Sequence, residues 1–311
     1  MKICVILNPQ AGAGRAGASW PQFSALLEEA VGEFELKRTS APGDASHLAR
    51  KAIFDGTELI IAVGGDGTTN EVANGFIDGN GQISTSCALA IVPCGTGSDF
   101  CRTLGVDSDP AKAISGLSAR SERSIDVGVA HFQSSGRMLV SRLFLNIASF
   151  GLSGVISRNM YLAGRSQLLP IKLRYLVETF RGLSSYHPAN IRLAVDEAVF
   201  EGEVTLVAIA NGQYFGGGMM VAPNASPQDG LFDVIVLRAI TKSRLARKIA
   251  LVYRGAHLSL PEIAVFRGSR IVAEADNRTS QNPVYLELDG ENPGTLNCEI
   301  VVRPKALRLM Q

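Results

Sequence analysis

The sequence predicts an α/β domain with a parallel sheet, followed by an all-β domain of the sandwich class. Through residues 1–124, short apolar runs alternate with segments of helical period, the rhythm of βαβ units. Beyond residue 124 strand-like runs separated by turn residues take over, with only two helix-like segments. The 311 residues favour two domains, and 46% hydrophobic content suffices for two cores. The expected division is 1–124, rejoined by the tail 304–311, and 125–303.

Lys2–Leu7 is a continuous apolar run, as a buried parallel strand requires. Residues 19–31 place Trp20, Phe23, Leu26, Leu27, Ala30 and Val31 on one helical face, and Phe34–Arg38 reads as a second strand. Asp44 reads as the N-cap of a helix with Leu48, Ala49, Ala52 and Ile53 inward. Glu58–Val63 and Ala88–Val92 are further apolar strands. In the second half IDVGVAHF, MLVSRLFLNIA, IRLAVD, EVTLVAIAN, LFDVIVL and VYLELD read as strands, and 155–182 and 241–254 as helical.

Composition excludes several classes. With 30 Lys+Arg against 29 Asp+Glu the formal charge is +1, unlike a dedicated nucleic-acid binder. Five cysteines without a C-x-x-C pair suit free thiols in a reducing cytoplasm. The N-terminal apolar run is too short for a signal-peptide core, and the charge-free stretch between Arg142 and Arg158 is too short and too polar to span a bilayer. The four histidines are scattered without zinc-ligand spacing.

Three glycine-rich loops follow predicted strands, where open α/β sheets bind ligands. The first, Asn8–Gly17, contains a formal G-x-G-x-x-G at Gly12, Gly14 and Gly17. Its first glycine lies well past the strand end, which weakens a dinucleotide reading, and Ala18 excludes a P-loop. The second is Gly64–Glu71, whose glycines let backbone approach a bulky anion ahead of a helix N-terminus. Asp66 would repel phosphate unless a cation intervenes, so it suggests Mg²⁺–nucleotide chemistry; the alternative is a tight turn with Asp66 as helix cap. The third, Pro93–Phe100, repeats the design with Asp99, which could equally be an N-cap.

Asn8-Pro9, GGDGTTNEVANG and PCGTGSDF together resemble the catalytic domain of the diacylglycerol kinase and sphingosine kinase family of lipid kinases, above all its short bacterial members. FLNIASFGLSG, NGQYFGGGMMVAPNASPQDGLFDVIVL, RGAHLSLPEIAVF and LELDGE extend the resemblance over nearly the whole chain. It implies an N-terminal nucleotide domain like that of NAD kinases and phosphofructokinases, and a C-terminal β-sandwich for the lipid. It further implies ATP contacts at Asn8, Pro9, Gln10, Ala11, Gly12, Thr39, Gly65, Asp66, Gly67, Thr68, Thr69, Asn70, Glu71 and Thr96. A structural Mg²⁺ would sit on Asp229 and the carbonyls of Ser226 and Leu231, with Asp66, Asp99 and Asp229 as an acid network. Glu291 matches the general base, and Asp66 joins it as a catalytic residue. The chain departs from the family pattern at Ser98, usually Asn, and at Asn224, usually Asp.

The chemistry gives these parts reasons of their own. Phosphoryl transfer depends on positioning and charge stabilisation, and an alcohol needs a carboxylate to take its proton. By sequence alone Glu291 could equally be a solvent-facing residue, since Asp289-Gly290 is a strong hairpin turn. The leading expectation is therefore an ATP-dependent kinase of diacylglycerol or a related lipid. The alternatives are a soluble-substrate kinase of the NAD-kinase type, a nicotinamide oxidoreductase using the first loop, and a catalytically silent lipid or nucleotide binder. His257 reads as packed or surface, and Met219 and Met220 as packing with acyl contact as the bolder possibility.

Two basic stretches stand out. Arg158, Arg165, Lys172, Arg174 and Arg181 face only Glu178 in residues 151–190, and Arg238, Lys242, Arg244, Arg247, Lys248 and Arg254 face no acid in residues 238–256. They read either as solvated helix faces or as a surface for the anionic inner membrane face. Pairing into a homodimer is left open.

Overall fold

The computed structural model describes residues 1–78, 81–95, 97–134, 138–162, 177–179, 181–182, 186–276 and 283–311. Its contacts divide the chain into one unit of 1–127 with 303–311 and a second of 128–302.

The first unit is built on strands β1 (Ile3–Leu7), β2 (Glu35–Arg38), β3 (Leu59–Gly64) and β4 (Ala88–Pro93). They run parallel in the order β2-β1-β3-β4, and the end of β16 (Glu291–Met310) lies parallel beside β4. β1, β3 and β4 are buried along their whole length, as the unbroken apolar runs require. Helices α1 (Arg15–Ala18), α2 (Trp20–Val31), α3 (Asp44–Phe54), α4 (Asp66–Asn74), α5 (Asp99–Leu104) and α6 (Pro110–Gly116) connect and cover them. Trp20, Phe23, Leu27 and Val31 of α2 pack on Ile3, Val5 and Leu7 in one core.

One local reading is corrected. Asp44 is not the N-cap of α3: Gly43 holds that position at φ 88°, and Asp44 is the first helical residue. Its carboxylate turns back onto the N–H groups of Ser40 and Ala41 and the Ser40 hydroxyl. These bonds, led by the Ser40 hydroxyl, hold its pKa below the usual carboxylate range.

The second unit is a ring of antiparallel neighbours. β9 (Ala198–Ala210) pairs with β8 (Ala189–Val195) along its first half, and with β7 (Ile147–Gly151) and β12 (Phe232–Arg238) along its second. β15 (Tyr285–Leu288) joins β7 to β16, and β14 (Arg270–Ala275) joins β16 to β8. The circuit β9-β7-β15-β16-β14-β8 therefore closes on itself, with β13 (Ile263–Gly268) extending it beyond β12. Phe144, Phe150, Ile209, Phe232, Leu286 and Ile300 fill the interior. Phe144 and Phe232 stack at 5.6 Å. β5 (Glu122–Ser134) and β6 (Leu139–Phe144) form a hairpin in which the Phe144 ring lies against Gly128, where any Cβ would overlap it.

The run MLVSRLFLNIA, read as one strand, is two: β6 ends at Phe144 and β7 begins at Ile147. The N–H groups of Leu145, Asn146 and Ile147 turn instead to the Asp289 carboxylate, which breaks the ladder. The helix expected over 155–182 begins earlier, as α7 (Leu152–Leu162); residues 163–176, including Arg165, Lys172 and Arg174, lie outside the described residues. The helix expected over 241–254 is α8 (Lys242–Lys248) followed by a 3-10 segment, Ile249–Arg254, and neither buries a residue. Gly255, at φ 68°, ends it. Met219–Met220 forms a two-residue strand against Tyr214–Phe215.

Candidate active site

The parallel order brings three loops to one sheet edge, because β1, β3 and β4 all end there. Asn8 follows β1, and its side-chain amide donates to Thr68 Oγ1 at 2.9 Å, tying the first loop to α4. Asn8 Oδ1 accepts the Gln10 N–H at 3.0 Å and so shapes the turn. Gly12 sits at φ 62° against the Cys94 carbonyl, with no room for a Cβ, so the first and third loops meet there. Gly17 packs on the Pro9 backbone inside a four-residue helix, which is not the strand–loop–helix geometry of a dinucleotide site. Gly65 and Gly95 touch backbone to backbone: a Cβ on Gly95 would lie 2.7 Å from the Gly65 Cα. Thr39, past β2, donates its N–H to Leu7 at 3.0 Å.

Neither acid of these loops is an N-cap. Asp66 is the first residue of α4, after Gly65, and its Oδ2 lies 3.4 Å from the Asp99 N–H. Asp99 opens α5 after Ser98, which adopts φ 52°, and its carboxylate lies 3.5 Å from Arg102. The two acids expected to work together in this unit are therefore neighbours. Gln10 and Gly67 are exposed at the edge, while Asn8, Pro9, Gly12, Thr39, Gly65 and Asp66 are half-buried. Ala11, Thr68, Thr69 and Asn70 are buried. Asn70 Oδ1 takes the Asn74 amide at 3.1 Å, and Glu71 lies 3.3 Å from the Ala45 N–H at the start of α3. Thr96 lies outside the described residues.

In the second unit, Asp289 (φ 48°) and Gly290 (φ 89°) form the two-residue turn between β15 and β16, with Leu288 opposite Glu291. Glu291 is thus a hairpin residue, half-buried rather than fully in solvent. Its side chain is 34% exposed and meets Arg142 of β6 at 2.6 Å. Nothing local marks Arg142; the pair joins residues 149 positions apart. Ser157 of α7 donates to the Gly290 carbonyl at 2.7 Å, and Gly154 lies so close to the Tyr285 backbone that a Cβ would overlap it. Beneath the turn, Glu287 is buried and accepts from Ser149 at 2.7 Å. Burial pushes its pKa up to about 7; the Asp289 charge adds to the rise, while Ser149, Ser153 and the Gly290 N–H oppose it.

Asp229 accepts the Leu231 N–H at 3.0 Å and pairs with Arg267 at 2.6 Å. Arg267 also reaches Asp233 at 2.8 Å, a buried acid whose pKa burial raises against the pull of Arg267. Among the described residues no three Asp, Glu, His or Cys side chains gather as a metal cluster. A cation here would rest on one carboxylate and backbone carbonyls. Oxygen donors of that kind are the ones Mg²⁺ takes, but the Asp229 carboxylate already holds Arg267 and the Leu231 N–H. His257 is buried with Nε2 3.0 Å from the Val221 carbonyl, and burial lowers its pKa.

The comparisons with known proteins agree with one another. Residues 2–130 match the diacylglycerol kinase catalytic domain, and residues 148–311 the YegS C-terminal NAD kinase beta sandwich-like domain. The chain is 29% identical to a Bacillus subtilis diacylglycerol kinase, covering 96% of this chain and 92% of that one. It is 26% identical to a Mycobacterium tuberculosis diacylglycerol kinase over 100% of this chain and 95% of the other. A probable lipid kinase YegS-like of Pseudomonas aeruginosa is 33% identical, over 68% of this chain and 65% of its own. A solved Bacillus anthracis structure assigned to the diacylglycerol kinases superposes with a TM-score of 0.78 at 26% identity, covering 99% and 96% of the two chains. With both halves matched, the chain belongs to the family of diacylglycerol-kinase-like lipid kinases of the short bacterial type.

Proposed function

We propose that this protein transfers the γ-phosphoryl group of ATP to the hydroxyl of diacylglycerol or a related lipid. The observation that carries the reading furthest is Glu291, an acid at the family's general-base position, fixed by Arg142 and by a turn anchored on both sides. The ion pair and the hydrogen bonds at both ends of the turn fix where the carboxylate sits.

In this reading residues 1–124 with 304–311 form the ATP domain, of the NAD-kinase and phosphofructokinase kind, and 125–303 the lipid domain. Asn8–Gly12, Thr39, Gly65–Glu71 and Thr96 take the nucleotide. The exposed Gly67 backbone and the first turn of α4 offer N–H groups to its phosphates, and the absence of a Cβ lets them approach. The lipid hydroxyl oxygen forms the new bond to phosphorus as Glu291 takes its proton. The bond to the β–γ bridging oxygen breaks, and ADP leaves with that electron pair. Asp66, beside Asp99, supplies the negative charge that a nucleotide-bound Mg²⁺ requires. Mg²⁺, when bound, would neutralise phosphate charge, and a structural ion would rest on Asp229, Ser226 and Leu231.

The acceptor hydroxyl lies on a membrane lipid, and α8 with its 3-10 extension offers the surface for reaching it. Arg247 and Arg254 are exposed there, while Arg244 and Lys248 pair with Glu262 at 2.5 and 3.5 Å. No helix among the described residues is long and apolar enough to cross a membrane. In this reading the protein works from the cytoplasmic side as a peripheral enzyme, its exposed cations facing anionic lipid. The test is transfer of labelled phosphate from ATP to a panel of lipid alcohols in mixed micelles, with NAD as the competing soluble acceptor. Diacylglycerol labelling supports the proposal; labelling of NAD alone overturns it.

A further inference from the structure

Glu287 is a buried acid that the transfer itself leaves without a task. Its side chain stands opposite Ser149 on the neighbouring strand and accepts the serine hydroxyl at 2.7 Å. Other buried acids have evident partners. Asp233 has Arg267 at 2.8 Å, Glu178 has Arg181 at 2.8 Å, and Asp126 accepts the Lys305 N–H at 2.7 Å. Among the described residues no Lys, Arg or His side chain pairs with Glu287.

The groups around it can be taken element by element. From β7 comes the Ser149 hydroxyl, the one bonded to Glu287 at 2.7 Å; from α7 come Ser153, whose Oγ is buried without a hydrogen-bond partner among the described residues, and Arg158, stacked over the Tyr285 ring at 4.8 Å. From the turn comes the Asp289 carboxylate, and beyond it the Glu291–Arg142 pair. Ionising Glu287 would put a buried, unpaired negative charge beside a second one, which is costly enough to keep such a carboxyl neutral. Glu287 also sits between two anchors of the hairpin that carries Glu291: Gly154 packed on Tyr285, and Ser157 bonded to Gly290.

We propose that Glu287 is a positioning residue that works as a neutral carboxylic acid, seating the β15–β16 hairpin on α7 and so holding Glu291 in place; its ionisation unseats the turn. This rests on the reading of Glu291 as general base.

The test is the pH dependence of kcat for the wild type, Glu287→Gln and Ser149→Ala, with melting temperatures over the same range. A midpoint near 7 lowers the neutral fraction, and with it wild-type kcat, about tenfold between roughly pH 6 and 8. Glutamine, a neutral mimic, abolishes that alkaline limb. Ser149→Ala removes a bond that favours the charged form, so the limb moves to higher pH, the opposite of a merely weakened fold. The melting temperature of Glu287→Gln, followed from about pH 4 to 8, equals that of the wild type in acid, exceeds it increasingly between about pH 4.5 and 7, and by a constant amount above. An unchanged alkaline limb in Glu287→Gln, or a limb moved down in Ser149→Ala, overturns the proposal. The melting arm needs no substrate: a temperature gap that does not change with pH overturns the neutral acid even if Glu291 proves to be the base. Loss of the Glu291 role alone would leave that gap intact.

Discussion

Removing the Asp289 carboxylate tests what holds the hairpin that carries Glu291. Its Oδ2 accepts the Leu145 N–H at 2.7 Å, and its Oδ1 accepts those of Asn146 and Ile147 at 2.9 and 3.0 Å. Bonds to a charged acceptor contribute about 1.5–3 kcal/mol each, and two of these share one oxygen, so about 4 kcal/mol is at stake. Asp289 also adopts φ 48°, where alanine pays about 1 kcal/mol more than Asp or Asn. Asp289→Ala should therefore destabilise the second unit by about 5 kcal/mol. Asp289→Asn keeps one carbonyl for Asn146 and Ile147 and tolerates the backbone; losing the charge and the Leu145 bond should cost about 2 kcal/mol. A chain of two units does not meet the condition for one global two-state transition, so local amide exchange at 145–147 is the assay, with urea unfolding beside it. Unchanged protection at those three amides in Asp289→Ala, or a loss under about 1 kcal/mol, would refute the reasoning.

Three other outcomes follow from the same geometry. Arg142→Met leaves Glu291 without its partner; steady-state kinetics should show a lower kcat with a smaller change in the KM for ATP, and a change in that KM alone would contradict the assignment. Glu287 gives stability a pH dependence with a definite sign. Its folded pKa, about 7, lies above the ordinary 4.5, so the folded state holds a proton that the unfolded chain releases. Stability is full below pH 4.5 and falls by about 3 kcal/mol as pH rises to 7, with little change above. Calorimetry from acid to neutral pH checks this against Glu287→Gln. Replacing Arg247 and Arg254 by Gln should weaken sedimentation with anionic vesicles and leave neutral vesicles unaffected, each cation contributing about 1 kcal/mol near the surface. Equal binding to both vesicle types would remove the membrane role.

What the chain disclosed about itself depended on distance. The strands of the first unit are legible because each is buried on both faces, so their apolar runs are continuous. The Asp289-Gly290 turn is legible because two positive φ values call for those residues. β13, β14 and most of β16 are not, since strands such as β13 are half-exposed and their polar residues blur the period. The break between β6 and β7 escapes any local reading, because its cause is a carboxylate more than 140 positions away. Glu287 alternates with Leu286 and Leu288, so nothing in its own strand marks it as buried; α7 packs on the same strand, at Gly154 against Tyr285. The motif residues Asn8, Gly12, Gly65, Asp66 and Asp99 could be grouped from sequence because strand ends of a parallel sheet share an edge. Arg142 could not.

The central claim is that Glu291 takes the proton of a lipid hydroxyl as ATP phosphorylates it. Phosphate transfer from labelled ATP to diacylglycerol in mixed micelles, compared between the wild type and Glu291→Gln, tests it most directly. The account predicts wild-type transfer and a fall in kcat of about 10²–10⁴-fold in the variant, with its melting temperature retained. A folded Glu291→Gln enzyme that phosphorylates diacylglycerol at the wild-type rate would contradict it.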